Sequence, residues 1–400
     1  MTVEQIKEID DYEVDESIEV VEVVSSKKEN TTEDTKVGAA AEYMIKLIHA
    51  ALRSVSADVN HTISDVLIKN GIIHMKSVGH WEKLDNSQIS STSVNFKKFI
   101  DTIRAHKPDL IPTRDKPSDL SIKLDTGQRA RLHLFLGHGE VAATVRLLPS
   151  KIKTYEQLGF LNSHVETLKA IEKHRNGLIL ISGPTGSGKT STLATFLNNL
   201  NHDSHLHILT IENPIEYIIP EAKSIVTQKE IGVDAPDFTR AIDWSLRETP
   251  NVIVPGESRE PEEFKQVMRA ATSGHLAATT MHASGCINTL RALFDRLDGH
   301  LRPQATYDAI AEQLVAIISQ LLVRTNQGKT RLIYEILYLQ DARCQNTYGA
   351  LANGNFKDLE PYIRLDGGKT LDEQIDQMIK TRAISEEEIN RVRRRRKPSN

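Results

Sequence analysis

The spacing of apolar residues divides the chain into two patterned regions. In the first, Asn70-Gly71 separates the strand-length runs Asp65–Lys69 and Ile72–Lys76. This predicts a hairpin, because the dipeptide accepts the two positive φ angles of a type I′ turn. Apolar residues recur at helical spacing after Ala39 and over Phe96–His106. Three more strands are predicted, at Leu120–Leu124, Ala130–Leu136 and Val141–Leu147. We therefore expect a small α+β domain over residues 37–148.

The second region follows a linker predicted over residues 149–161. Its apolar runs are short and do not alternate strictly, which is typical of strands buried on both faces of a parallel sheet. These runs are Leu178–Ser182, Leu206–Ile211, Val252–Val254 and Leu276–Thr280. We predict an α/β core over residues 162–340 and a mainly helical region over 341–400. A strand is predicted at Leu332–Leu337, and the very apolar stretch Ile310–Val323 is predicted to be helical.

Strand parity in the first region places two arginines on one face. Ala130, Leu132, Leu134 and Leu136 point one way along their strand, so Arg131 points the other way. Arg146 opposes Val145 in the next strand by the same rule. From the pattern alone, this polar face is equally well explained as a solvated surface or as a functional one.

Charge is concentrated at the two ends of the chain. Residues 1–36 carry twelve Asp and Glu against four Lys, which predicts a disordered acidic tail, although Ile18–Val24 has the composition of a short strand. Residues 391–400 have a net charge of +6 against −4 for the whole protein, so the middle is nearly neutral. The basic end is interpreted as a solvated tail, or alternatively as a contact for nucleic acid or anionic lipid.

Composition narrows the class of protein. No uncharged apolar run approaches the ~20 residues of a membrane-spanning helix, and the N-terminus lacks the pattern of a secretory signal. We expect a cytoplasmic protein with at most peripheral membrane contact. A near-neutral middle and 5% aromatic residues argue against a nucleic-acid translocase, so no specific nucleic acid is expected as a partner. The distant Cys286 and Cys344 are predicted to be reduced thiols.

The most specific chemical signal is a complete phosphate-loop motif. It follows an apolar strand and opens a helix, which is the context that the motif requires. Its residues are Gly183, Pro184, Thr185, Gly186, Ser187, Gly188, Lys189 and Thr190, and Ser191 is the next residue of the helix. Backbone N–H groups of such a loop converge on phosphate oxygens. Lys189 reaches the β- and γ-phosphates, and the Thr190 hydroxyl binds Mg²⁺. Residues 183–191 are therefore predicted to bind a nucleoside triphosphate.

Three later segments place acids and a histidine after predicted strands. Glu212 and Glu216 follow the second strand, and either is a candidate base for activating water. Glu257 follows the next strand, where a second motif commonly approaches Mg²⁺. His282 follows the fourth strand and is a candidate sensor of the γ-phosphate. No His, Cys or Asp cluster has zinc spacing, so Mg²⁺ carried by the nucleotide is the one metal expected.

The order of these motifs resembles the type II/IV secretion ATPase superfamily, and within it the PilT/DotB/TraJ branch. The segments that carry the resemblance are GPTGSGKT, IENPIEY, VIVPGESRE and TTMHASG. The resemblance implies a RecA-like core with a mainly parallel sheet, preceded by a PAS-like α+β domain and followed by a helical C-terminal tail. It also maps the family's N-domain arginines onto Arg131 and Arg146, which approach the nucleotide in relatives. Three positions depart from the family pattern: Asn213, Pro255 and Glu260.

The resemblance implies an ATP-hydrolysing motor that works as a homo-hexamer. Such motors act with secretion or pilus platform proteins at the cytoplasmic face of the inner membrane. His282-Ala283-Ser284-Gly285 favours a DotB/TraJ-like role in type IV secretion or conjugation, whereas Ile363-Arg364 before Gly368-Lys369 resembles pilus-retraction ATPases. Two further alternatives stay open: a nucleic-acid translocase, and an ATP-binding scaffold without hydrolysis.

Overall fold

The computed structural model shows a chain that divides into two compact units, Met1–Ser150 and Lys151–Asn400. It describes residues 23–24, 63–69, 72–77, 80–83, 90–106, 108–123, 129–149, 151–258, 260–298, 304–344 and 346–396. Among the described helices, none combines the length and the apolar character that crossing a bilayer requires.

The first unit is built on an antiparallel sheet. Its described strands are β1 (Val23–Val24), β2 (Ile63–Lys69), β3 (Ile72–Ser77), β4 (His80–Lys83), β5 (Ser118–Lys123), β6 (Arg129–Gly137) and β7 (Glu140–Leu147). Their spatial order is β1-β5-β6-β7-β2-β3-β4. One long helix, α1 (Ser90–His106), is followed by a 3₁₀ turn at Pro108–Leu110.

The sheet confirms the predicted hairpin and strand parity. Lys69 pairs with Ile72, so a two-residue connection joins β2 to β3. Ala130, Leu132 and Leu134 are buried at alternate positions of β6, whereas Leu136 at the end of that strand is 40% exposed. The Asn70-Gly71 turn itself and the helix predicted from Ala39 lie outside the described residues.

Two strands of this sheet were not assigned from the sequence. β4 is short and mostly polar, so it has no apolar signature. Val23 and Val24, inside the predicted acidic tail, pair with Ile122 and Ser121 of β5. At these two positions the structure therefore shows the strand pairing that the composition of Ile18–Val24 had left open.

The second unit contains the predicted parallel sheet. Its strands are β8 (Gly177–Ser182), β9 (His207–Glu212), β10 (Ile225–Glu230), β11 (Val252–Pro255), β12 (Leu276–Met281), β13 (Leu314–Arg324) and β14 (Thr330–Tyr338). The spatial order is β10-β9-β11-β12-β8-β13-β14. Six strands run parallel, and β14 pairs antiparallel with β13 at one edge. The mainly parallel α/β class is thus confirmed.

Helices pack on both faces of this sheet. They are α2 (Tyr155–Leu158), α3 (Asn162–Ile171), α4 (Lys189–Asp203), α5 (Phe238–Ser245), α6 (Pro261–Thr272), α7 (Cys286–Asp298), α8 (Gln304–Gln313), α9 (Thr347–Ala352), α10 (Glu360–Ile363), α11 (Leu371–Lys380) and α12 (Glu386–Arg396). Short 3₁₀ turns lie at Phe356–Leu359 and Leu365–Gly367. Successive residues of β8 belong to opposite layers: Leu178 and Leu180 to one, Ile179 and Ile181 to the other.

A third apolar cluster anchors the C-terminal helices. Leu321 and Val323 of β13 pack with Ile375 of α11 and Val392 of α12. The helical C-terminal region is therefore packed on the projecting ends of β13 and β14.

One sequence prediction for this unit is wrong, and one strand was missed. The stretch Ile310–Val323 was predicted to be helical, but α8 ends at Gln313 and β13 begins at Leu314. A continuous apolar run does not distinguish a buried helix from a central strand. β10 was missed because Thr227, Gln228 and Lys229 make it too polar to resemble its neighbours.

The segment predicted as a linker also packs into the second unit. Tyr155 of α2 is only 2% exposed, and its hydroxyl donates a 2.6 Å hydrogen bond to Glu172 Oε1. Asn199 Nδ2 of α4 donates to the same oxygen at 2.9 Å. Burial outweighs these two donors and raises the pKa of Glu172 from its ordinary value of 4.5 to about 7.

We predict that Glu172 makes stability pH-dependent. Between pH 4.5 and 7 the folded protein holds a proton that the unfolded chain releases, so the free energy of unfolding falls as pH rises through this window. The loss is on the order of 3 kcal/mol. Glu172→Gln keeps the accepting oxygen and removes the ionisation, so the variant gains stability relative to the parent above pH 7.

Urea unfolding of both proteins at pH 5 and pH 8 measures this effect. Glu166→Gln is the matched control, because Glu166 has an exposed side chain and lies on α3, the helix that ends just before Glu172. A variant-minus-parent difference that is equal at the two pH values would show that Glu172 ionises normally.

Candidate nucleotide site

The predicted site residues lie at one edge of the second sheet. Lys189 follows β8 through the phosphate loop, and Glu212 is the last residue of β9. Glu257 and His282 come just after β11 and β12. These four strands are consecutive neighbours in the order β9-β11-β12-β8 and all run parallel. Their carboxyl ends therefore meet at the same edge, which is where open α/β sheets bind ligands.

The phosphate loop adopts a backbone that only glycine allows at key positions. Gly183, Gly186 and Gly188 all have positive φ angles, of 155°, 72° and 88°. A Cβ at Gly183 would lie 2.3 Å from the Gln320 carbonyl oxygen and 2.4 Å from Ser187 Oγ. A side chain at this position is thus excluded by both conformation and space.

Polar groups of the loop fit a bound phosphate. Lys189 Nζ donates to the Gly183 carbonyl at 2.9 Å, so the ammonium lies over the loop itself. Ser187 Oγ is buried and has no hydrogen-bond partner among the described residues. Thr185 and Gly186, in the middle of the loop, are exposed, and α4 begins at Lys189. A helix start with open N–H groups and a nearby ammonium suits an anion.

Two side chains outside the motif hold the loop in place. Gln320 Nε2 of β13 donates to the Ser187 carbonyl at 2.8 Å. Ser191 Oγ forms a 2.7 Å hydrogen bond with Tyr217 OH, which joins the start of α4 to the loop after β9. Gln320 was not anticipated from the sequence, because it lies in the stretch that was predicted to be helical.

The two candidate acids after β9 differ in their surroundings. Glu212 accepts hydrogen bonds from Thr210 Oγ1 at 2.7 Å, from Gln228 Nε2 at 3.2 Å and from the Glu216 backbone N–H at 3.4 Å. Burial of the carboxyl group raises the pKa of Glu212 despite these donors. The Glu216 side chain is half-buried. The Glu212 carboxylate therefore stabilises this turn through its hydrogen bonds.

The next two candidates contact each other. The Glu257 carboxylate and His282 Nε2 form an ion-pair contact when the imidazole is protonated. The segments that carry them are joined as well, because Thr280 Oγ1 donates to the Gly256 carbonyl at 2.7 Å and the Ser258 N–H donates to the Thr280 carbonyl at 3.1 Å. β11 ends at Pro255, as proline's missing N–H predicts.

Arg131 and Arg146 are direct partners on neighbouring strands of the first unit. They face each other across β6 and β7, so they share a face as the parity argument predicted. Arg146 Nε donates a 2.7 Å hydrogen bond to Asp65, which is only 4% exposed. Asp65 lies opposite Arg146 in β2 and was not anticipated.

A metal ion held by the protein alone needs several ligand side chains close together. Within the described ranges, no three His, Cys, Asp or Glu side chains are arranged to hold a metal ion by themselves. At the sheet edge, Thr190 and Glu257 present a hydroxyl and a carboxylate, whose oxygens are the donors that Mg²⁺ prefers. They suit a metal that arrives with phosphate oxygens as its other ligands.

The fold and the site define a phosphate-loop α/β protein with a nucleotide-binding sheet edge. The family model described as "Type II/IV secretion system protein" matches residues 38–396. The chain belongs to this family, and the resemblance drawn from its four motifs is confirmed.

Two curated relatives illustrate the match. The twitching motility protein of Neisseria gonorrhoeae is 30% identical over 273 residues, covering 68% of this chain and 72% of that protein. The type IV pilus retractation ATPase PilT of Pseudomonas aeruginosa is 34% identical over 220 residues, covering 55% of this chain and 62% of that protein. The second match thus spans less than two thirds of the relative.

Solved structures agree with the fold. The pilus retraction motor PilT with bound ADP has a TM-score of 0.71 and 27% identity, covering 89% of this chain and 97% of that one. The ATPase DotB of Legionella pneumophila has a TM-score of 0.68 and 24% identity, covering 91% and 97%. The DotB likeness shows the shared fold. A PAS-like identity for the first unit stays a prediction.

Proposed function

We propose that this protein is a Mg²⁺-dependent ATP hydrolase that works as a hexameric ring motor and energises a type IV secretion or conjugation machine. The observation that carries the proposal is the gathering of Lys189, Glu216, Glu257 and His282 at one sheet edge beside a complete phosphate loop. Membership of the secretion family and the likeness to an ADP-bound motor support ATP as the nucleotide.

The phosphate loop holds the triphosphate. Backbone N–H groups of residues 183–190 donate to phosphate oxygens, and Lys189 transfers its hydrogen bond from the Gly183 carbonyl to the phosphate. Thr190 Oγ1 and Glu257 would hold Mg²⁺, which when bound offsets the charge of the β- and γ-phosphates. Gln320 fixes the position of the loop by donating a hydrogen bond to the Ser187 carbonyl.

Glu216 orients and deprotonates the attacking water. A general base needs an oxygen lone pair that water reaches. Glu212 is the poorer candidate, because three donors already occupy its oxygens. Its hydrogen bond to the Glu216 N–H gives it a second role, since it fixes the backbone from which the base projects.

His282 senses the γ-phosphate through its contact with Glu257. When the phosphate leaves, the negative charge next to this pair decreases. The family resemblance assigns Arg131 and Arg146 to stabilising the charge of the phosphates, and within the first unit Asp65 fixes the Arg146 guanidinium through Nε.

The partners of the motor are platform proteins of a secretion or pilus machine at the cytoplasmic face of the inner membrane. The DotB/TraJ-like role is preferred because His282-Ala283-Ser284-Gly285 matches that group. Pilus retraction is the second candidate, favoured by the likeness to the PilT motor and to the P. aeruginosa PilT protein.

We expect Lys189→Ala to lower ATP turnover by at least about 100-fold, because a preorganised charge on the transferring phosphate is lost. Steady-state phosphate release with Mg²⁺ measures this. Lys173→Ala is the control, since Lys173 is an exposed lysine of the same unit. Turnover of the Lys189 variant near the parent value would refute the assignment of the loop.

We expect Glu216→Gln to retain ATP and to lose hydrolysis by about 100-fold or more, because the substitution keeps shape and removes the basic oxygen. Glu212→Gln should retain more turnover and should lower the melting temperature instead. Single-turnover hydrolysis and thermal unfolding separate the two effects. Loss of hydrolysis in the Glu212 variant alone would show that Glu212, and not Glu216, is the general base.

We expect Arg131→Ala and Arg146→Ala to lower kcat at least about tenfold while nucleotide affinity changes little, because positive charge near the phosphates is most stabilising in the transition state. Arg114→Ala is the control, as an exposed arginine of the same unit. Effects no larger than those of the control would make this face a solvated surface.

A further inference from the structure

A buried carboxylate joins two distant segments of the second unit. Glu335 lies in the middle of β14 and is only 5% exposed. Its Oε2 accepts a 2.7 Å hydrogen bond from the Cys286 N–H, and its Oε1 accepts a 2.6 Å hydrogen bond from the Leu371 N–H. One side chain therefore contacts backbone positions that are 85 residues apart in the sequence.

Both donors are the first residues of helices. Cys286 begins α7 and Leu371 begins α11. The first N–H groups of a helix have no partner within it, and the macrodipole adds partial positive charge there. Two helix starts directed at one carboxylate thus compensate a negative charge that would be costly to bury alone.

Ser319 completes this arrangement from the neighbouring strand. It is the direct partner of Glu335 across β13 and β14, and its Oγ accepts the Gly285 N–H at 2.8 Å. The carbonyl of Gly285 accepts a 2.8 Å hydrogen bond from Thr289 Oγ1. Gly285 has a φ of 90°, so the chain turns sharply here. The N–H groups of Gly285 and Cys286 and the carbonyl of Gly285 are all hydrogen-bonded to side chains, which fixes the turn.

This same turn carries His282. The residue lies three positions before Gly285 and contacts Glu257. On its other side, Glu335 holds the start of α11, a helix that packs with α12 on β13 and β14. The carboxylate therefore stands between the candidate phosphate sensor and the C-terminal helices.

We propose that Glu335 is a positioning residue that fixes the turn carrying His282 and links it to α11, so that nucleotide bound at the sheet edge stabilises the C-terminal helices. This rests on the proposed function insofar as His282 responds to the γ-phosphate. Coupling of this kind is reciprocal, so breaking the Glu335 link lowers nucleotide affinity by the factor by which bound nucleotide had stabilised α11.

The proposal is tested with Glu335→Gln. The glutamine keeps one accepting oxygen but presents an NH₂ group to one of the two N–H donors, so one of the two helix starts loses its partner. Hydrogen–deuterium exchange of residues 282–290 and 371–380 is measured with and without the non-hydrolysable analogue adenylyl imidodiphosphate. The parent is expected to show slower exchange in both segments when the analogue is bound.

In the variant, protection by the analogue is expected to stay in the phosphate loop and to disappear from 371–380. We also expect the variant to bind the analogue more weakly, by the factor that couples the two sites. Unaltered protection of 371–380 in the variant, or an unaltered affinity for the analogue, would overturn the proposal. Glu335→Asp decides the same question if the glutamine variant does not fold, because it keeps the charge but is too short to reach both donors.

Thr370→Ala is the matched control. It removes the cap in which Thr370 Oγ1 accepts the Glu373 N–H, so it loosens α11 and leaves Glu335 in place. It should speed exchange of 371–380 but preserve the response to the analogue. A parent protein that binds the analogue without hydrolysing ATP would refute the proposed function, while the exchange of 371–380 would still decide the role of Glu335.

Discussion

The parallel pairing of β8 between β12 and β13 is the constraint on which the rest of the site depends. β8 ends in the phosphate loop, and the Gly183 N–H continues the ladder by donating to the Met281 carbonyl of β12 at 3.3 Å. The loop has few side chains that could fix its own shape, because its turns require glycine. The neighbouring strands fix the loop instead. β12 hydrogen-bonds to its first residue, and Gln320 of β13 hydrogen-bonds to its middle.

The antiparallel strand β14 extends this support to the other loops. Side chains of β13 and β14 that face opposite layers reach different targets: Gln320 contacts the phosphate loop, whereas Ser319 and Glu335 contact the turn after β12. A strand pair at the edge of the sheet thereby positions two loops that lie near its centre. The C-terminal helices α11 and α12 pack on the same two strands. The geometry of the site and the packing of these helices therefore both depend on β13 and β14.

The sequence predicted the elements whose signal is local. The phosphate loop, the four strands that end in candidate residues and the parity of Arg131 all follow from spacing alone. The contacts that organise the site are not local, and this is why they were missed. Nothing near Glu335 indicates that its carboxylate caps two helices, and Asp65 acquires its role only when β2 pairs with β7. β13 was misassigned for a different reason, since its uniform apolar character suits either a buried helix or a central strand.

The most direct test of this account is a structure of the protein with a non-hydrolysable ATP analogue and Mg²⁺. The account predicts that the phosphates lie against the backbone N–H groups of residues 183–190 and that Lys189 Nζ leaves the Gly183 carbonyl for a phosphate oxygen. Phosphates bound elsewhere, or a Lys189 that still donates to Gly183 with the analogue in the loop, would contradict it.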